Sequence, residues 1–223
     1  MSDRPPRPSL RSAWRASLSD PRFRWELTVT VPALVAVLAV LASFLTAVER
    51  RAGVVLPDPL LASFAPLDLT WLTFALIYLG LLVAIGVLSR RPPLLLTAVQ
   101  GYVVMVIIRI IAMYLVPLEP PPTMIALVDP TVETFGTGTT LTKDLFFSGH
   151  TSTLFLLFLV APGRVWKAVF LTCTLTVAAA VVLQHVHYAI DVFAAPFFAF
   201  GALGLVKWIR ARVIGPDTTM RTP

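Results

Sequence analysis

Charge is what this chain has least of. Asp, Glu, Lys and Arg make up 13% of its 223 residues, about half the roughly 25% of an average soluble domain. Hydrophobic residues make up 57%. A water-facing surface needs more charge than this, so the composition points to an all-α, polytopic membrane protein rather than one or two soluble domains. Cysteine is scarcer still. The single Cys173 excludes an intrachain disulfide and leaves the redox compartment open; inside an apolar run it reads as small buried packing. There is no internal repeat, heptad pattern, dinucleotide fingerprint or P-loop. Only three histidines are present, and all lie in or beside two short motifs.

Long apolar runs are abundant. Five are clear, at about 27–48, 70–88, 94–116, 165–184 and 189–206, and a sixth, about 145–162, is interrupted at Ser148–Thr151. A bilayer core about 30 Å thick needs roughly 20 helical residues, so six transmembrane helices in one bundle are expected, the interrupted one near the lower limit. The first run follows six arginines without a sharp small-residue cleavage site, so it reads as a retained helix and not a signal peptide. The expected organisation is a basic tail at 1–26, one membrane domain at 27–208 and a second tail at 209–223.

The basic residues orient this bundle. Arg4, Arg7, Arg11, Arg15, Arg22, Arg24, Arg90, Arg91, Arg164, Lys167, Lys207, Arg210, Arg212 and Arg221 fall on one side, against Arg50, Arg51 and Lys143 on the other. Positive residues stay cytoplasmic, so both termini are expected inside. The net charge of +6 then reflects topology and anionic-lipid contact, with no nucleic-acid partner implied. The connection at about 117–144 falls outside; its prolines and its Gly136 and Gly138 predict an irregular segment.

Both histidine motifs fall on that outer side. One is Asp144-Leu-Phe-Phe-Ser148-Gly149-His150-Thr151, the other His187-Tyr188-Ala-Ile-Asp191-Val192. On a helix, residues four apart share a face, so His187 and Asp191 can touch. The carboxylate then fixes the imidazole tautomer and stabilises its cation. Gly149 admits close backbone approach beside His150, and Ser148 and Thr151 add donors near a helix N-terminus, where phosphate binds well. Each motif alone also fits an ordinary polar helix start or interfacial pair. Two at one depth in a membrane bundle, where ionisable groups are costly, favour function. Arg109, inside an apolar run, needs a carboxylate or phosphate partner. Asp144 can support His150 or an incoming hydroxyl, or simply cap a helix. Lys143 reads equally as a phosphate contact or a solvated lysine. Glu119 and Glu133 read as solvated loop residues, and His185 as structural or interfacial.

The two motifs resemble those of the type 2 phosphatidic acid phosphatase superfamily, a six-helix membrane fold. More narrowly, the chain is similar to the sphingomyelin synthase family. Weaker echoes are Leu56-Pro57-Asp58, and Arg109 followed by Ala112-Met113-Tyr114 and Pro117. The resemblance covers roughly 54 to 200. The K-x6-R-P motif of the phosphatases proper is absent, and Ala180 and Val181 stand where those enzymes carry S-R. Fewer cations favour a singly charged phosphodiester over a phosphomonoester.

The resemblance implies a lipid phosphotransferase with its site on the extracytoplasmic side. His187 would be the nucleophile, Asp191 its orienting carboxylate and His150 the acid–base group. Asp144, Lys143, Ser148, Gly149, Arg109 and Tyr188 are candidate substrate contacts. The substrates expected are a phospholipid donor and a lipid hydroxyl such as that of ceramide. Water as acceptor gives the alternative, a lipid phosphatase or phospholipase C-like hydrolase. No cofactor or metal is required by this chemistry. Further readings of the same residues are a proton-coupled transporter and a metal site built from His150, His187 and Asp191.

Overall fold

The structure is a computed structural model that describes residues 9–128 and 141–213. Among these, seven α-helices form: α1 (Leu10–Ser19), α2 (Pro21–Glu49), α3 (Thr70–Leu88), α4 (Pro92–Leu115), α5 (Gly149–Val160), α6 (Gly163–Leu183) and α7 (Ala189–Val213). Five of them, α2, α3, α4, α6 and α7, are long and apolar enough to cross a bilayer. These helices fit an integral membrane protein.

Residues 10–19, expected to be tail, are helical. Ser9 caps α1 by accepting the Ser12 N–H, and Trp14 Nε1 donates to the Ser89 carbonyl, holding α1 against the α3–α4 turn. Asp20 starts α2 by accepting the Arg22 N–H, so α2 begins six residues before the apolar run itself. Charge at the N-terminus concealed these two helix starts.

The interrupted run also differs from expectation. Its helix is only 12 residues, about 18 Å at ~1.5 Å per residue. Phe146 and Phe147 have left-handed backbone, φ 61° and 47°, a conformation costly for bulky residues. It postpones the helix to Gly149 and folds the preceding loop into the bundle. Phe147 is fully buried and stacks on Phe198 with ring centroids 4.4 Å apart. Helix α5 runs antiparallel to α4, because Gly149 lies against Arg109 and Leu156 lies against Gly101.

The outer surface suits lipid. Val35, Leu79, Leu82, Leu175, Phe193, Phe197 and Phe200 are exposed, a face that water would not tolerate as a continuous patch. Trp71 and Tyr114 are exposed near one end of the bundle, Trp25 and Trp208 near the other, as aromatic belts at two interfaces would be.

At the Trp71 end, two connections form a tied layer. Val54 and Leu118 pair as an isolated parallel bridge. A Cβ at Gly53 would lie 2.6 Å from the Leu118 carbonyl carbon, so only glycine allows this approach. Arg51 donates to the Met113 and Tyr114 carbonyls, 2.6 and 3.0 Å, satisfying the open end of α4. That bond explains an arginine on the side with few positive charges. Fully buried Gln184 joins three segments: it accepts from Leu69 N–H and donates to Thr70 Oγ1 and the Ile125 carbonyl.

Candidate active site

The site is assembled where α5 and α7 begin. Ser148 caps α5 by accepting the Thr151 N–H, which places His150 in the first turn. Ser148 N–H donates to the Asp191 carbonyl at 3.0 Å, so the two motifs are joined through backbone. Ser148 Oγ thus serves as the cap of α5.

His187 does not lie on α7, as the four-residue spacing had suggested. It lies in the turn before that helix, which begins at Ala189. The expected contact forms nonetheless: Asp191 Oδ2 is 3.3 Å from His187 Nδ1. The same oxygen accepts the Tyr188 N–H at 3.3 Å, reaching back to the residue before the helix as the acidic member of a capping box does. The first helical N–H, that of Ala189, goes instead to Asp58 Oδ2 at 2.7 Å. Both His187 and Asp191 are buried, 2% and 0% exposed. With Nδ1 facing the carboxylate, Nε2 is the nitrogen left for chemistry. The ring of His150 faces that of His187 with centroids 6.5 Å apart.

Arg109 holds the approach to this pair. Its Nη1 donates to the Phe147 carbonyl, and its Nη2 donates to Asp144 Oδ1 at 2.7 Å. The guanidinium also lies 5.4 Å from the centre of the Phe147 ring. A Cβ at Gly149 would stand 2.9 Å from Cζ of Arg109, so glycine in the Ser-Gly-His sequence leaves room for this guanidinium. Burial pushes the Asp144 carboxyl up, but the Arg109 charge and hydrogen bond, helped by the two histidines, hold it below its ordinary value overall.

Two sequence candidates have other partners. Lys143 pairs with Glu119 at 2.8 Å and donates to the Arg51 carbonyl; it does not line the cavity described next. Glu119 is therefore not simply solvated. The Lys143 hydrogen bond and the Gly53 N–H lower its carboxyl below the ordinary value. Tyr188 Oη donates to the Glu119 carbonyl and accepts the Leu56 N–H, so it braces the outer layer. His185 is structural as expected, with Nδ1 2.6 Å from Thr123 Oγ1 and its ring edge-on to Phe64. Glu133 lies outside the described residues.

A cavity of about 470 Å³ leads away from the site between α2, α3, α4 and α5. Its polar end is Arg109, Asp144, Gly149, His150 and Thr153; most of the rest is aliphatic, from Leu34 and Ile77 to Leu88 and Leu95. Leu38 and Ile85 line it and are 39% and 56% exposed, so it opens sideways toward the bilayer. His187 is not on its wall. Residues 143–208 match the family model described as PAP2 superfamily C-terminal. This supports the type 2 phosphatidic acid phosphatase superfamily. The matched stretch runs from Lys143 to Trp208 and contains both histidine motifs, helices α5 and α6, and α7 as far as Trp208. It supports an enzyme of lipid phosphatase or phosphotransferase type. No curated protein matches the chain.

Asp58, Gln184 and Glu49 were not singled out as site-building residues from sequence. Glu49 accepts the Thr142 and Lys143 N–H groups, both at 2.7 Å, fixing the entry to the first motif. The available signal was a polar side chain at the edge of an apolar run, which marks a constrained position without naming its partner.

Proposed function

We propose that the protein is an integral membrane phosphotransferase of the sphingomyelin synthase type. It moves a phospho-headgroup from a phospholipid to a lipid hydroxyl such as that of ceramide. The observation that carries this reading is the geometry of His150, His187 and Asp191 beside the polar end of a lipid-open cavity.

His187 Nε2 attacks the phosphorus while the bond to the diacylglycerol oxygen breaks, and His150 gives that oxygen its proton. The acceptor hydroxyl then attacks the phosphohistidine, the N–P bond breaks, and the hydroxyl proton returns to His150. Asp191 steadies the positive imidazole throughout. A nucleophile within about 3–3.5 Å of phosphorus and an acid within hydrogen-bond reach of the leaving oxygen need two imidazoles near one another, and the centroids of these two lie 6.5 Å apart. Burial of His187 and Asp191 supports a lipid acceptor over water, because access of water decides between transfer and hydrolysis.

The topology proposed is six spans with both termini cytoplasmic and the site on the extracytoplasmic side. The basic-residue bias supports the orientation. Helix α5 starts beside Arg109, six residues before the end of α4, hence about 9 Å below that end. Its own ~18 Å then brings the pair to about the thickness of the bilayer core.

The test is incubation of purified protein with phosphatidylcholine labelled at phosphorus, with and without ceramide, followed by trapping of acid-labile label on protein. Label is expected on wild type, and transfer to ceramide when it is added. His187→Ala should lose both. His150→Ala should lose turnover by about 10²-fold or more. Release of phosphocholine without transfer would make the enzyme a hydrolase. Full turnover by His187→Ala would end the phosphohistidine reading.

A further inference from the structure

Tyr102 sits at the middle of the cavity wall, and its hydroxyl is not used by the protein. Helix α4 presents one face to the cavity. Ala98 and Val99 lie one turn to one side of Tyr102, Met105 and Val106 one turn to the other, and Arg109 two turns away. Spacings of three, four and seven residues share a helical face, so the central side chain of this face points into the cavity. Its ring is partly buried and packs against the core. A tyrosine hydroxyl withdrawn from water ordinarily finds a partner, yet among the described residues no group hydrogen-bonds this one. Arg109 and Thr153 on the same wall are committed by contrast. Arg109 donates to Asp144 and to the Phe147 carbonyl, and Thr153 Oγ1 donates to the Gly149 carbonyl at 2.7 Å.

The place of the hydroxyl along the cavity restricts what it can meet. From Arg109 to Tyr102 is seven residues, about 10 Å along the helix. Both side chains lean toward the helix N-terminus, so their tips keep roughly that offset. Arg109 and Asp144 are near enough for their charges to act on the hydroxyl. In a diacyl phospholipid the two ester carbonyl carbons lie five and six bonds from phosphorus, about 6–7 Å at ~1.2 Å per bond of extended chain. With a hydrogen bond of about 2.8 Å at each end, a lipid bridges two donors up to about 12 Å apart. Tyr102 therefore stands at the ester level of a lipid whose phosphate is at the polar end. Below the phosphate, a phospholipid carries acceptors at that level and none along its chains.

We propose that Tyr102 is a specificity-determining residue: its hydroxyl donates to an ester carbonyl of the donor lipid, so that the cavity selects acyl-linked over alkyl-linked phospholipids. The proposal rests on the reading of the polar end as the place of the reacting phosphate. Apolar contact cannot make this selection, because acyl and alkyl chains of one length bury nearly the same hydrocarbon. The carbonyl can. An ether linkage removes that acceptor and leaves the hydroxyl facing hydrocarbon without a partner. A neutral hydrogen bond corresponds to a preference of about two- to twelvefold, and the cost of leaving the hydroxyl unpaired acts in the same direction.

The experiment uses the full chain, as wild type and as Tyr102→Phe, which removes the hydroxyl and keeps the ring. In bilayer nanodiscs, 1,2-diacyl and 1,2-dialkyl phosphatidylcholine of equal chain length compete as donors. The ratio of their initial rates of headgroup release or transfer gives the ratio of kcat/KM. In detergent, the same two lipids are supplied in equal amounts, and native mass spectrometry reads which one the protein retains. Wild type should favour the diacyl lipid by about fivefold or more in both measurements, and in Tyr102→Phe both ratios should fall to near one. Equal use and equal retention of the two lipids by wild type overturns the proposal, as does a preference that Tyr102→Phe leaves unchanged. A preference in retention that depends on Tyr102, with no headgroup chemistry on either donor, keeps the contact and removes the enzymatic reading. Headgroup chemistry that ignores the linkage does the reverse.

Discussion

Replacing Gly149 by alanine isolates the contact on which the approach to the histidines depends. Gly149 is the first residue of α5; in the middle of a helix alanine would stabilise by about 0.5–1 kcal/mol over glycine, and at the first turn by less. Here the added methyl would meet Cζ and Nη1 of Arg109 at 2.9 Å and Nη2 at 3.1 Å. Relief to ordinary contact requires a shift of about 0.5 Å in the guanidinium or the helix start. A free arginine would swing aside at little cost, but this one is fixed by the Phe147 carbonyl and by Asp144. Overpacking at a fixed site costs about 1–3 kcal/mol, so the sign reverses and Gly149→Ala is net destabilising by about 1–2 kcal/mol. The same displacement reaches His150, the next residue, and a shift approaching 1 Å costs up to about 10²-fold in turnover. The assay is thermal unfolding in detergent together with headgroup transfer, repeated in an Arg109→Leu background. There the penalty of Gly149→Ala should largely disappear, a non-additivity expected only of residues in contact. An equal penalty in both backgrounds, or wild-type stability and turnover in Gly149→Ala alone, refutes the reasoning.

Three further outcomes are expected. Asp191→Asn keeps the shape but loses the charge facing His187 Nδ1, so turnover should drop by on the order of 10²–10⁴-fold while the helical circular dichroism spectrum is unchanged. Glu119 has a carboxyl held below its ordinary value by Lys143 and Gly53, so its stabilisation is present above the ordinary carboxylate pKa and is lost as pH falls through the lowered one; the Tm gap between wild type and Glu119→Gln should be open at neutral pH and close in acid. Ala62→Cys in a Cys173→Ala background places a thiol on an exposed turn of the outer layer, which an impermeant maleimide should label in intact cells; labelling only after permeabilisation would place the site on the cytoplasmic side.

Much of the helical framework was legible because apolar length acts within a short window of sequence. The run at 70–88 coincides with α3, and 94–116 lies within two residues of α4. What the window missed depends on partners far along the chain. Asp58 caps a helix 131 residues away and Glu49 meets Thr142 across 93. The requirement that Arg109 have an anionic partner was readable from its apolar surroundings, but Asp144 could be chosen over a phosphate only in three dimensions. Lys143 and Tyr188 show the opposite limit. They lie inside a motif, yet their bonds to Glu119 hold the outer layer together, and motif position alone does not separate those duties from substrate contact. The late start of α5 turns on two left-handed phenylalanines, which no propensity favours and which the packing of Phe147 against Phe198 compensates.

The state of the cations bears on which phosphate the site accepts. Among the described residues, Arg109 is the one arginine or lysine on the cavity wall, and it is already paired with Asp144. Lys143 is paired with Glu119. A phosphomonoester entering with nearly two negative charges would therefore meet an arginine–carboxylate pair of zero net charge, whereas a phosphodiester brings only one. If the proposed reaction holds, Asp144, its carboxyl held below the ordinary value by Arg109, is expected to disfavour monoesters. Asp144→Asn retains a side chain of the same size but removes that negative charge beside Arg109. In a competition assay with phosphatidylcholine as donor, a lipid phosphomonoester such as phosphatidic acid should inhibit wild type weakly and Asp144→Asn at least about fivefold more strongly, since a single ion-pair contact in a partly buried site is worth on the order of 1 kcal/mol. Raising the salt concentration should narrow the gap. Equal inhibition of the two proteins would mean that Asp144 does not decide which phosphate approaches the histidines.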